Sequence, residues 1–188
     1  MSLFSTAQAQ DAVKTGIKGG LNFATISNNN FDTRTGFVIG GFAKFGIPES
    51  RLSIQPELYY SQQGGELDGD AVKIDYLKVP VLFKYALIQG QTTEPNLFFG
   101  PYASLRLLAE QEGGAGGLLG GSSNIENQTE SVDYGFIAGT GLDIEVGNSI
   151  FTIDARYTLG LNDVFNDRSG KNRVFSIAFG ISLPSSRD

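Results

Sequence analysis

Residues 142–157 read LDIEVGNSIFTIDARY, with apolar residues at every second position on both sides of Gly147-Asn148 and Asp143, Glu145, Asp154 and Arg156 among the residues between them. Alternation with a period of two belongs to a strand whose two faces meet different surroundings. A two-residue turn at Gly147-Asn148 suits a tight hairpin. That turn sets Val146 opposite Ser149 and fixes the register. Ile144 then faces Phe151, Leu142 faces Ile153, Ala138 faces Tyr157 and Phe136 faces Leu159, all on one side of the ribbon. On the other side Asp143 faces Thr152, Gly141 faces Asp154 and Gly139 faces Arg156. A slip of one residue would mix the two sets, so the pattern specifies one pairing.

The same alternation recurs along the chain, and no long segment carries a helical period. Eight strands are predicted, at about 15–24, 35–47, 51–62, 72–87, 96–110, 132–146, 149–161 and 172–183. Soluble strands are usually ~5–6 residues long, whereas a tilted membrane-spanning strand needs ~9–11. The connections alternate in length. PES, IQGQTTEP and GN are short or moderate, while TISNNNFDTR, QGGELDGDA, QEGGAGGLLGGSSNIENQTES and NDVFNDRSGK are long and polar. Short turns at one end and long loops at the other mark an up-and-down barrel of the outer-membrane kind.

Volume orients the two faces. The interior of an eight-stranded barrel is only just wide enough to be filled by side chains. The apolar face, with Phe37, Ile39, Val79, Phe83, Leu97, Phe99, Leu105, Phe175, Ile177 and Phe179 among its members, is too bulky to fit there. The other face, rich in Gly, Ser, Ala and Thr with charges of both signs, does fit. The expected fold is therefore all-β, an eight-stranded antiparallel transmembrane barrel. It forms a single domain over 15–183, between an N-terminal segment 1–14 and a tail 184–188. Its apolar face meets lipid, and Tyr134, Tyr157 and Phe175 toward the loops and Phe45, Tyr85, Phe99 and Phe151 toward the turns are expected to form interfacial girdles. A lumen charge network of Lys44, Glu57, Lys78, Lys84, Arg106, Asp143, Glu145, Asp154 and Arg156 follows, joined by Gln55, Tyr59 and Tyr102. Buried charges persist only when paired, so a salt-bridged plug is expected, with a narrow pore as the alternative.

Composition excludes several function classes. The net charge of −6 argues against nucleic acid, which needs a basic face. With no Cys and no His, thiolate chemistry, Cys/His zinc sites and a histidine base are absent. No catalytic constellation and no cofactor site is found. Asp68-Gly69-Asp70 with Glu66 nearby reads as a solvated acidic loop rather than a Ca²⁺ site, because the rest of a calcium loop is missing. Ser122-Ser123 has no base near it in sequence. Asn127-Gln128-Thr129 is a glycosylation sequon, idle if the source is bacterial. Ala7-Gln8-Ala9 resembles a signal-peptidase site; Met1 to Leu3 read as an added start and Phe4 to Ala9 as the tail of a trimmed signal peptide.

GIKGGLNFA, IQPELYYSQQG, IDYLKVPVLFKY, FFGPYASLRL and GLDIEV followed by FTIDARYTLGL resemble the PorT-like outer-membrane β-barrel family of Bacteroidetes, over about Gly16 to Leu183. The resemblance implies an eight-stranded barrel in the bacterial outer membrane with periplasmic termini. Its founding member is linked to protein secretion. It implies no catalytic or binding residues. The expected function is thus a non-enzymatic outer-membrane barrel with a structural or interaction role. It would be a monomer in contact with outer-membrane lipid, meeting envelope or secretion proteins through its long loops. A soluble lipocalin-like barrel, with its apolar face inward, is a further alternative; lipocalins usually carry a Gly-x-Trp, and this chain has no Trp.

Overall fold

The computed structural model describes residues 13–26, 32–67, 70–112, 122–124, 131–163 and 171–184. Nine strands occur there: β1 (Lys14–Ile26), β2 (Asp32–Gly46), β3 (Leu52–Leu67), β4 (Asp70–Ala86), β5 (Thr93–Glu112), β6 (Ser122–Asn124), β7 (Val132–Val146), β8 (Ser149–Asp163) and β9 (Lys171–Pro184). Eight of them pair antiparallel in the order β4-β3-β2-β1-β9-β8-β7-β5, and β4 pairs back onto β5. The sheet is therefore a closed barrel with every long strand flanked on both sides. Closure leaves no edge, the condition for crossing hydrocarbon. The short β6 pairs with Glu110–Glu112, outside the ring.

The β7–β8 hairpin has the register read from the sequence: Val146↔Ser149, Ile144↔Phe151, Leu142↔Ile153, Asp143↔Thr152, Gly141↔Asp154 and Gly139↔Arg156. Gly147 takes a φ of 60°, which the first turn position of this type requires and glycine supplies without strain.

Burial gives the faces their direction. Ile17, Ile39, Val79, Phe83, Leu105 and Phe179 lie outward and exposed, as do the seven expected girdle aromatics. This outward apolar surface overturns the lipocalin-like alternative, which needs the same residues inside. The interior carries a small apolar cluster of Leu82, Phe98, Tyr102 and Ile137 amid buried polar and charged side chains. Two glycines make room for rings there. A Cβ on Gly139 would stand 2.5 Å from the Phe98 ring, and one on Gly16 would stand 2.7 Å from the Phe42 ring.

Two connections differ from the sequence reading. The segment QGGELDGDA is largely strand: β3 continues to Leu67, β4 starts at Asp70, and those two residues pair. The apolar alternation stops near Gln62, but the backbone groups of two neighbouring strands still need partners, so the ladder continues beyond the apolar band. Similarly, part of the Gly-rich loop 111–131 is the pairing of β5 with β6. Asp68, Gly69, the Asn127 sequon, the Ala7-Gln8-Ala9 segment and the tail 185–188 lie outside the described residues, as do the side chains of Glu66, Asp70, Ser122 and Ser123.

Candidate functional site

Alternation places the even-numbered residues of β1 and β8 and the odd-numbered residues of β3 on the inner face, which brings four charges from three strands together. Lys18 of β1 donates to Glu57 Oε1 of β3 at 3.0 Å and to Asp154 of β8. Arg156, two residues beyond Asp154, grips Glu57 with Nη1 to Oε2 at 2.7 Å and Nη2 to Oε1 at 3.4 Å. Its Nη2 also reaches Asp154 Oδ2 at 2.7 Å. Gln55 adds a 2.7 Å hydrogen bond to Glu57. Two cations and two carboxylates make a neutral layer, and all four side chains are buried. Aromatic faces back the cations: Lys18 lies 5.0 Å from the Phe42 ring and Arg156 5.5 Å from that of Phe98.

A second cluster lies toward the turns. Asp143 accepts from Lys44 Nζ at 2.8 Å, from Lys84 Nζ at 3.5 Å and from Thr152 at 3.0 Å. A third lies toward the loops. There Tyr102 donates to Asp133 at 2.9 Å, Asn172 bridges Tyr76 and Asp133, and Lys78 stands 3.9 Å from Asp133. Lys78 also lies 4.1 Å from the Tyr102 ring.

Of the predicted network, Glu57, Lys78, Lys84, Asp143, Asp154 and Arg156 are buried in the lumen with Gln55, Tyr59 and Tyr102, and Lys44 is partly buried. Arg106 pairs with Tyr76 near the loop end and is half-buried, apart from the central layer. Glu145 departs from the prediction. It lies in the exposed turn-end rim, 3.8 Å from Lys14, because β7 has run past the closed part of the lumen by that residue. Two buried charges lie outside the predicted set: Lys18 in the central layer and Asp133 in the loop-side cluster. The signal was present: Lys18 alternates with Ile17 and Gly19, and Asp133 with Val132 and Tyr134. Asp75 is another polar surprise, because it lies on the outward register, buried, and accepts a hydrogen bond from Tyr60.

The central layer leaves little passage. The cavity lined by Lys18, Phe42, Glu57, Tyr59 and Arg156 measures about 10 Å³, close to the least that one water molecule needs, ~10–15 Å³. At the turn end the lumen opens into a vestibule of about 290 Å³ whose rim includes Lys14, Lys44, Arg51, Glu49, Glu94 and Glu145. The two ends are thus separated by paired charge.

Comparison with known proteins agrees with this architecture. The crystal structure of Neisserial surface protein A is similar, with a TM-score of 0.59 at 15% identity, over 92% of this chain and 96% of that one. The attachment invasion locus protein Ail of Yersinia pestis, solved in complex with the heparin analogue sucrose octasulfate, superposes with a TM-score of 0.50 at 13% identity, over 92% of this chain and 99% of its own. At such identities the likeness is one of fold. No curated protein matches the sequence. The model of the outer membrane protein beta-barrel domain matches residues 7–166, which is most of the chain and includes seven of the eight barrel strands. The chain belongs to that outer-membrane β-barrel family.

Proposed function

We propose that this barrel is a non-enzymatic, non-conducting outer-membrane protein that works through its long loops on envelope or secretion partners, and not through its lumen. The neutral layer of Lys18, Glu57, Asp154 and Arg156, with about 10 Å³ of free space beside it, carries the reading. A pore needs water-filled width and charges free to exchange with a passing ion. Here each central charge is paired with another. Within the family, the motifs GIKGGLNFA and IDYLKVPVLFKY support a PorT-like, Bacteroidetes assignment. That assignment brings a link to protein secretion, periplasmic termini and an N-terminal signal sequence. The protein acts as a monomer, since each long strand is already paired within one chain.

Planar-bilayer recording tests the closed lumen. The expected trace shows no conductance steps above baseline, and discrete steps would replace this reading with the narrow pore. Comparing secreted protein in cells with and without the barrel tests the secretion link, which an unchanged secretome would refute.

A further inference from the structure

The outward face is not uniformly filled. On β1 the outward residues run Ile17, Gly19, Leu21, and Gly19 sits between Ile39 of β2 and Phe179 of β9. Beside Ile17 stands another outward glycine, Gly41. A Cβ on Gly19 or Gly41 would meet nothing closer than 3.6 or 3.5 Å, so both open onto free space. Gly19 opens into a shallow groove of about 670 Å³, walled by Ile17, Ile39, Phe151, Phe179 and Ile181. Ile17, Ile39 and Phe179 are 68%, 58% and 59% exposed, among the most accessible apolar side chains of the barrel.

A cation lies on the same track. Arg173 is exposed on the outward register of β9, flanked by Thr25 of β1 and Leu159 of β8. Below it come Phe175, stacked on Phe23 at 6.3 Å, then Ile177 and the groove at Phe179. Six residues at about 3.3 Å each on a strand tilted about 40° descend about 15 Å, which is half of a ~30 Å hydrocarbon core. The track therefore offers a cation at the loop-side boundary, an aromatic pair beneath it and a groove that begins near the midplane at Phe179 and continues toward the turns at Ile181 and Phe151.

We infer that the β1–β2–β9 face holds one phosphate-bearing lipid of the loop-side leaflet, its headgroup on Arg173 and an acyl chain in the groove at Gly19. The inference rests on the outer-membrane placement. Charge complementarity selects the occupant: an exposed guanidinium at headgroup height suits a phosphate, and hydrocarbon suits the groove below.

The test uses the full barrel in phosphatidylcholine vesicles containing a minor share of phosphatidylglycerol, with retained lipids counted by native mass spectrometry. The wild type should retain phosphatidylglycerol in preference to phosphatidylcholine. Arg173→Gln should weaken that preference about fivefold, the value of one cation near a charged lipid surface. Gly19→Leu should lose retained lipid of both kinds. Heat-modifiable gel migration verifies that each variant is folded. Equal retention by wild type and all folded variants would overturn the inference. So would a wild-type dimer that Gly19→Leu makes monomeric without changing its lipid, since the groove would then hold a second copy. Failure of the barrel to float with vesicles would instead refute membrane placement itself.

Discussion

Replacing Glu57 with Gln keeps the shape of the side chain and removes one charge from the centre of the barrel. Glu57 is 4% exposed and accepts from Lys18, from both terminal nitrogens of Arg156 and from Gln55. The substitution leaves Lys18 and Arg156 facing Asp154 alone, so a neutral layer becomes a layer of charge +1 within an interior that has no room to hydrate it. Breaking a buried pair from one side costs ~3–5 kcal/mol, more than a hundredfold in the unfolding equilibrium. Urea titration of the folded barrel in lipid vesicles, followed by tyrosine fluorescence and gel migration, reads the loss. Adding Lys18→Met restores neutrality, leaving Asp154 with Arg156, and should return part of it; the coupling between the two sites is expected within ~0.5–3 kcal/mol. A loss under ~1 kcal/mol for Glu57→Gln, the range of exposed ion pairs, would refute the closed layer. A double variant as unstable as the sum of the singles would refute the pairing.

Two further perturbations bracket that one. Ile153→Arg puts a charge on the outward face opposite Leu142 and should cost ~2–4 kcal/mol if that face meets the bilayer midplane; vesicle folding yields and urea midpoints measure it, and a change within ~0.5 kcal/mol, typical of a water-facing site, would contradict lipid exposure. Glu145→Gln removes only the 3.8 Å rim contact with Lys14, where both side chains are well exposed. Its urea midpoint should stay within ~0.5 kcal/mol of wild type, and a loss comparable to that of Glu57→Gln would mean that the rim is sealed.

Alternation and turn length made much of the barrel legible. The β7–β8 register followed from Gly147-Asn148 alone, because a two-residue turn leaves no freedom in pairing. The inward and outward sets followed because side-chain volume can be summed from sequence. Strand ends were less legible. Beyond Gln62 the residues no longer alternate, yet β3 and β4 stay paired to Leu67 and Asp70, held by backbone groups that carry no sequence signature. Inside the lumen, alternation tells which charges point inward but not their height. It could not separate Glu145 at the rim from Asp143, which is one inward step deeper and buried. Nor could it show that Lys18, Glu57, Asp154 and Arg156 share one level, since that depends on the stagger of three strands around the closed ring. Phe42 and Phe98 inside the lumen are not legible from volume alone for a related reason: each ring lies over a glycine of the neighbouring strand, so the bulk fits only pair by pair.

The pairing of β1 with β9 joins Lys14 to Pro184 and continues as far as Ile26 and Asn172. These partners lie at opposite ends of the barrel sequence, so the seam is the most non-local strand pairing among the described residues and its loop closure is entropically the most demanding of them. Until β9 arrives, β1 has one bare margin able to pair with another chain. The order of assembly is thereby constrained: hairpins such as β7–β8 can form early, but the ring completes only when its last strand meets its first. Lys18 sits on that seam, with its partners Glu57 two strands away on one side and Asp154 two strands away on the other. Its ion pairs thus form across the joint as it shuts, a latch set by the same event that removes the barrel's final edge.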